Sequence, residues 1–375
     1  MPLYKNLSQF LAAKIMSQGP ISVAEYMSQS LGHPDFGYYT TKNPFGVTGD
    51  FTTAPEISQI FGELIGLWCA NTWISLGKPN PFIIAELGPG RGTLMADALR
   101  AIETVPECRQ ALNVHLVEFS PHLRIQQSKA LADIDVTWHK TVYSLPRHPI
   151  IFIANEFFDA LPIDQFVQHN ENWYKRLICL DPNSSKSKPE FAFTLSPDPK
   201  PKEYFPQLLS EFNKNGTIIE ISSESYKIVG EIASRIDNNR GSALIIDYGY
   251  ESLSTADTLQ AIYKKNYSSV LKNSGSSDLT AHVNFKLLVK SANVRDIKCW
   301  GSISQGVFLK RLGIESRAHK LISSATTEQK KSILSACERL ISENQMGNLF
   351  RVLSISDNKL GPPAGFIYEE ANLGC

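Results

Sequence analysis

Between residues 83 and 94 the chain reads Ile83-Ile84-Ala85-Glu86-Leu87-Gly88-Pro89-Gly90-Arg91-Gly92-Thr93-Leu94, an apolar run closed by an acid and followed by glycines at alternate positions. The apolar run predicts a buried strand, the glycines a sharp turn, and the pattern beyond them a helix starting near Thr93. Glycine permits positive φ and lets a ligand approach without a Cβ in the way. The start of the helix adds N–H groups with no intrahelical partner. The spacing is G-x-G-x-G, not the G-x-G-x-x-G of dinucleotide turns, and no G-K-[ST] follows to cradle a phosphate. Glu86, two residues before the first glycine, would repel a phosphate and welcome a cation. The stretch therefore predicts a nucleotide-like site whose ligand carries positive charge.

Regular alternation surrounds it. Strands are expected at 82–87, 114–118, 135–139 and 150–155, with helices at about 93–104 and 121–132. Continuous apolar strands between helices predict a parallel sheet covered on both faces. In such sheets ligands sit at the carboxyl ends of strands, and Glu86, Glu118, His139 and Asn155 all lie there. Glu118 is placed to accept both hydroxyls of a ribose. Trp138 and His139 could stack on or hydrogen-bond an adenine, or simply pack. After Asn155 the chain continues Glu156-Phe157-Phe158-Asp159-Ala160-Leu161-Pro162. If it turns helical, Glu156 and Asp159 share a face, and paired carboxylates suit a planar guanidinium. Alternatively, Asn155 caps a helix whose acids face solvent. Asp247, His282 and Asp50 stand near further turns and are weaker candidates.

Residues 1–32 carry a helical pattern broken at Gly19-Pro20, with Ser22 and Glu25 spaced as a capping box. The aromatic, Gly- and Pro-rich stretch 33–56 reads as an ordered irregular segment covering a site. Helix 55–76 then leads to the Pro79-Asn80-Pro81 break. We expect an N-terminal helical extension over 1–80 and a catalytic α/β domain over 81–375, with an insertion at about 255–320. Within the latter we expect a hairpin at 165–180, a solvated loop at 181–202, a strand at 217–221 and a helix at about 224–236. A buried strand at 242–250, a polar mobile stretch at 265–278, helices at about 282–292 and 326–342, and a final edge strand at 348–356 follow.

The 375 residues are 42% hydrophobic and 20% charged, which excludes a disordered chain. Net charge is zero, so no global field attracts nucleic acid or an anionic membrane. The six cysteines show no metal or C-x-x-C spacing and are expected to be free thiols. No apolar run reaches the roughly 18 residues of a membrane span, and no signal peptide or Arg-rich leader is visible. These features predict a cytoplasmic protein.

With these residues on the page, the chain resembles the MidA family of S-adenosylmethionine-dependent methyltransferases. The matching stretches are Gly19-Pro20-Ile21-Ser22, His33-Pro34 with Gly37-Tyr38-Tyr39, Gly49 to Ser58, Glu86 to Thr93, Asn155 to Pro162, Asp247 to Tyr250, Asp278 to Phe285 and Ser304-Gln305-Gly306. They run in family order across nearly the whole chain. The resemblance implies a Rossmann-like class I methyltransferase sheet with helical additions, and a location in a bacterial cytoplasm as a bacterial relative. It implies S-adenosylmethionine as cofactor, whose ammonium and sulfonium fit Glu86. The cofactor residues would be Glu86, Gly88, Gly90, Gly92, Thr93, Glu118, Trp138, His139 and Asn155. Asn155, Glu156, Asp159 and His282 would serve catalysis. The implied reaction is symmetric dimethylation of a protein arginine, on a respiratory complex I core subunit in the mitochondrial member. Two departures touch the substrate side: Lys264-Lys265-Asn266 replaces a stretch that usually holds a His, and Lys175 replaces an acid before Arg176. A non-catalytic assembly chaperone and an NAD-dependent oxidoreductase are the alternatives, the latter disfavoured by Glu86 and the glycine spacing.

Overall fold

The computed structural model describes residues 4–42, 52–170, 172–185, 188–200, 214–251, 255–292 and 297–372. The chain forms two compact units that interleave in sequence, whereas the division expected from chain order falls at residue 81. One comprises Met1–Phe51, Asp159–Ser225 and Ser252–Asn284; the other comprises Thr52–Phe158, Tyr226–Glu251 and Phe285–Cys375.

The larger unit holds the Rossmann-like sheet. Phe82–Leu87 and Ile150–Asn155, buried at every position, lie side by side in parallel. Leu112–Val117 and Val136–His139 continue the sheet on one side, and Gly241–Tyr250 on the other, all in parallel. The chain thus leaves Phe82–Leu87 in one direction and returns in the other at Ile150–Asn155, and the carboxyl ends of these two strands form the switch point where such sheets bind ligands. Beyond Gly241–Tyr250 come Phe350–Asp357, antiparallel, then Ile297–Ser304 and the short Ala371–Asn372. The final long strand is therefore interior, inserted between two strands that precede it, and not the edge expected. Helices Gln59–Ser75 and Thr93–Ile102 pack closely. A Cβ on Gly66 would lie 2.3 Å from the Ala98 carbonyl oxygen, so no larger residue fits there without displacement.

The smaller unit has its own core of Leu7, Leu11, Val23, Tyr26, Met27, Ile178 and Leu279. Helices Leu7–Gln18 and Val23–Gly32 flank the expected break at Gly19-Pro20, and the Ser22 hydroxyl accepts the Glu25 N–H at 3.0 Å. Strand Asn172–Leu180 pairs with Asp164–His169 as the expected hairpin, and also with Phe191–Lys200. That last strand takes up residues 191–200 of the predicted 181–202 loop. Among the described residues it pairs on one side only, an arrangement that tolerates Pro197 and Pro199. The 265–278 stretch is also structured: Asn266–Ser268 pairs with Gln260–Tyr263, and the Tyr26 hydroxyl donates to the Val270 carbonyl at 2.9 Å. Lys264 and Lys265 make the tight turn before Asn266, both at positive φ, and the Lys175 ammonium pairs with Asp164 at 2.8 Å. No helix of the described residues is long and apolar enough to cross a membrane.

Candidate functional site

At the switch point Gly88, Gly90 and Gly92 all adopt positive φ, at 62°, 52° and 86°. A Cβ on Gly88 would approach the Phe157 ring to 2.8 Å. The Gly88 N–H donates to the Val117 carbonyl, which ties the turn to the neighbouring strand, and Gly92 caps helix Thr93–Ile102. A residue the sequence reading did not single out holds this turn from outside. Glu56, in the helical turn Ala54–Ile57, accepts the Thr93 hydroxyl at 2.8 Å and the Arg91 guanidinium at 3.3 Å. The Thr93 hydroxyl is thus committed to Glu56. The end of the expected 33–56 cover lies against the turn, while residues 43–51, including Asp50, fall outside the described residues. Glu56→Ala removes a charge-assisted, partly buried bond and an exposed ion pair, which should cost about 1–2 kcal/mol. A urea melt would read that loss directly.

Glu86 is 3% exposed, and burial pushes its carboxyl up to about 8. Its Oε2 has no hydrogen-bond partner among the described residues, nor has the Oδ1 of buried Asn155. The two residues end adjacent parallel strands, where Leu87 pairs with Ala154. A buried acceptor without a donor costs roughly 1–3 kcal/mol. Two of them at one switch point fit a ligand that brings N–H donors and positive charge.

Glu118, just past Leu112–Val117, is 4% exposed, and burial raises its carboxyl to about 7 against bonds that pull it down. Those bonds come from the Ser120 N–H at 2.8 Å and the Gln127 amide at 3.2 Å. A carboxylate has lone pairs left for ribose hydroxyls. Trp138 donates its indole N–H to Gln127 at 2.8 Å, which leaves a ring face for stacking. His139 is otherwise engaged. Its Nε2 meets His115 Nδ1 at 2.8 Å and its Nδ1 meets the Ser144 hydroxyl at 3.1 Å, so neither nitrogen is left for an adenine. Burial lowers the pKa of both histidines, His115 to about 4.

After Asn155 the chain does not turn helical. Residues 156–160 form bends and turns, so the three-residue spacing of Glu156 and Asp159 does not create a shared helix face, and Asn155 caps nothing. Glu156 takes φ +50°, unusual for a residue with a Cβ, at a place where such strain often marks function. Fully buried Asp247 enforces it, accepting the Phe157 and Phe158 N–H groups at 3.2 and 2.9 Å. Glu156 Oε1 accepts the Ala54 N–H at 3.0 Å and the Asn155 amide at 3.2 Å. Asp159 and His282 belong to the smaller unit and are neighbours there. The Asp159 carbonyl accepts the Ala281 N–H at 3.0 Å, and the His282 N–H donates to the Thr258 hydroxyl at 2.9 Å. Burial lowers the His282 pKa. Gln127 was missed because a lone Gln within a helix carries no motif; its one signal is the four-residue spacing from Leu123 on the buried face.

Comparison with known proteins agrees with this geometry. Residues 64–303 match the model of a family described as "Putative S-adenosyl-L-methionine-dependent methyltransferase". The chain is 36% identical over 374 residues to "Protein arginine methyltransferase NDUFAF7, mitochondrial" of Danio rerio, covering 94% of this chain and 87% of that one. The Homo sapiens protein of the same name is 33% identical over 370 residues, covering 92% and 82%. A crystal structure from Burkholderia thailandensis bound to S-adenosyl-homocysteine superposes with a TM-score of 0.83 at 25% identity, covering 98% and 95%. Both curated relatives are named as mitochondrial, which overturns the bacterial, cytoplasmic location expected above.

Proposed function

The chain belongs to this S-adenosylmethionine-dependent methyltransferase family, and from that membership we propose that it methylates an arginine side chain of a protein, as a mitochondrial enzyme acting on a core subunit of respiratory complex I in support of its assembly. Symmetric dimethylation is the product we propose. The observation that carries the cofactor reading is a pair of buried acceptors, Glu86 Oε2 and Asn155 Oδ1, without a partner among the described residues, beside a turn of three positive-φ glycines. When bound, the cofactor supplies an electrophilic methyl group on a sulfonium. Glu86 would offset positive charge and, with Asn155, accept ammonium N–H groups; Glu118 would accept the ribose hydroxyls, and the Trp138 ring would face the adenine.

An acceptor guanidinium stays protonated at neutral pH, so a carboxylate must align it, offset its charge and take the proton its nitrogen loses. Glu156 is our candidate, because Asp247, Ala54 and Asn155 fix both its backbone and its side chain. Orientation of this kind is most of what a displacement needs. Asp159 and His282 are kept as acceptor candidates on their own chemistry. The relatives' names support a protein arginine as substrate.

The test is mass spectrometry of complex I from cells lacking the protein, complemented with wild type or Glu156→Gln. We expect one arginine to lose its dimethyl mark and to regain it with wild type only, with Glu156→Gln at least 100-fold slower in a purified assay. Arginine methylation that persists in the null cells would refute the substrate assignment. It would favour the assembly-chaperone alternative.

A further inference from the structure

The mechanism above uses Glu118, Trp138 and the glycine turn, but not the side chain that joins them. Gln127 lies on helix Pro121–Ala130 and is completely buried. Its amide nitrogen donates to the Gly90 carbonyl at 2.8 Å and to Glu118 Oε2 at 3.2 Å. Its amide oxygen accepts the Trp138 indole N–H at 2.8 Å. The orientation is chemically forced, since the flipped amide would set an oxygen against two acceptors and a nitrogen against a donor. The backbone of the same residue also lies close to the turn: a Cβ on Gly92 would reach the Gln127 Cα at 3.4 Å.

We propose that Gln127 is a positioning residue for the cofactor, one carboxamide that sets the glycine turn, the ribose acid and the adenine-side indole in a common register before the ligand arrives. The inference rests on the cofactor reading and adds to it a residue that need not touch the ligand. A buried amide with all its partners placed holds three separate chain segments rigid. Preorganisation of this kind raises affinity by removing the cost of ordering on binding. No other residue type does the same: glutamate lacks the two N–H donors, leucine lacks donors and acceptor, and asparagine is a methylene short.

The experiment is calorimetric titration of S-adenosylhomocysteine into wild type and Gln127→Leu, with steady-state kinetics and a melting curve on each. We expect Gln127→Leu to weaken binding at least ten-fold and to raise the KM for S-adenosylmethionine by a similar factor. The KM for the protein acceptor should change less than two-fold. A purely structural role would lower the melting temperature and leave the affinity of the folded fraction alone. If Gln127→Leu does not fold, Gln127→Met keeps the length and nearly the volume of the side chain and removes its three hydrogen bonds; binding should then weaken about three-fold or more. Folded Gln127→Leu, or Gln127→Met in its place, binding within two-fold of wild type would overturn the inference alone. Wild type that bound no S-adenosylhomocysteine would overturn the cofactor assignment and this inference with it.

Discussion

Gly90→Val should abolish cofactor binding while leaving a folded chain. Gly90 holds φ +52° at the middle of the turn. A left-handed backbone costs an ordinary L-residue about 1–2 kcal/mol, and for a β-branched one it is a genuine outlier. The turn must therefore shift to accept valine. Its carbonyl is anchored to Gln127 at 2.8 Å, so a shift disturbs Glu118 and Trp138 as well as the turn itself. The core does not depend on that shift, because Phe82–Leu87 is held by ladders on both sides. Titration with S-adenosylhomocysteine should show affinity reduced at least 100-fold, and circular dichroism a melting point lowered by only a few degrees. A folded Gly90→Val that binds like wild type would remove the glycine turn from the cofactor site.

What the sequence makes legible, and what it hides, follows from where each residue finds its partners. Strands 82–87 and 150–155 are legible because a strand covered on both faces must be apolar throughout. Ile297–Ser304 is not, since Lys298, Gly301 and Ser302 break its pattern, and without it Phe350–Asp357 looks like an edge. The ligand-facing candidates Glu86, Glu118 and Asn155 can be named from the sequence because strand ends and glycine spacing are local signals. Glu56, Gln127 and Asp247 act on residues 37, 37 and 90 positions away. Only tertiary approach creates those contacts. The same cause explains the failed helix after Asn155. Asp247 takes the two N–H groups that begin the next segment and fixes Glu156 in a left-handed conformation, which a helical spacing rule cannot anticipate.

Cofactor binding should release protons, and Glu86 should be their main source. Burial holds its carboxyl at about 8 and that of Glu118 at about 7, both above the ordinary value of 4.5. A group whose pKa is raised in the folded state contributes stability fully below its unfolded pKa, and loses that contribution as pH rises through the folded value. The ligand-free chain should therefore lose stability between about pH 4.5 and 8, on the order of several kcal/mol for the pair. A cation opposite Glu86 reverses the preference, because it favours the ionised form. At pH 7 the carboxyl then gives up close to one proton on binding, and the stabilisation by S-adenosylmethionine grows toward alkaline pH. Calorimetry in buffers of different ionisation enthalpy measures the proton count, and melting curves with and without cofactor measure the slope. Glu86→Gln cannot ionise: it should bind 10- to 100-fold more weakly, release correspondingly fewer protons and show a flatter stability profile. Equal proton release from wild type and Glu86→Gln would show that the cation is met elsewhere. An acid held neutral by burial until a cation arrives would make this site selective for positively charged ligands over neutral nucleosides, which is the discrimination a methyl donor with a sulfonium and an ammonium requires.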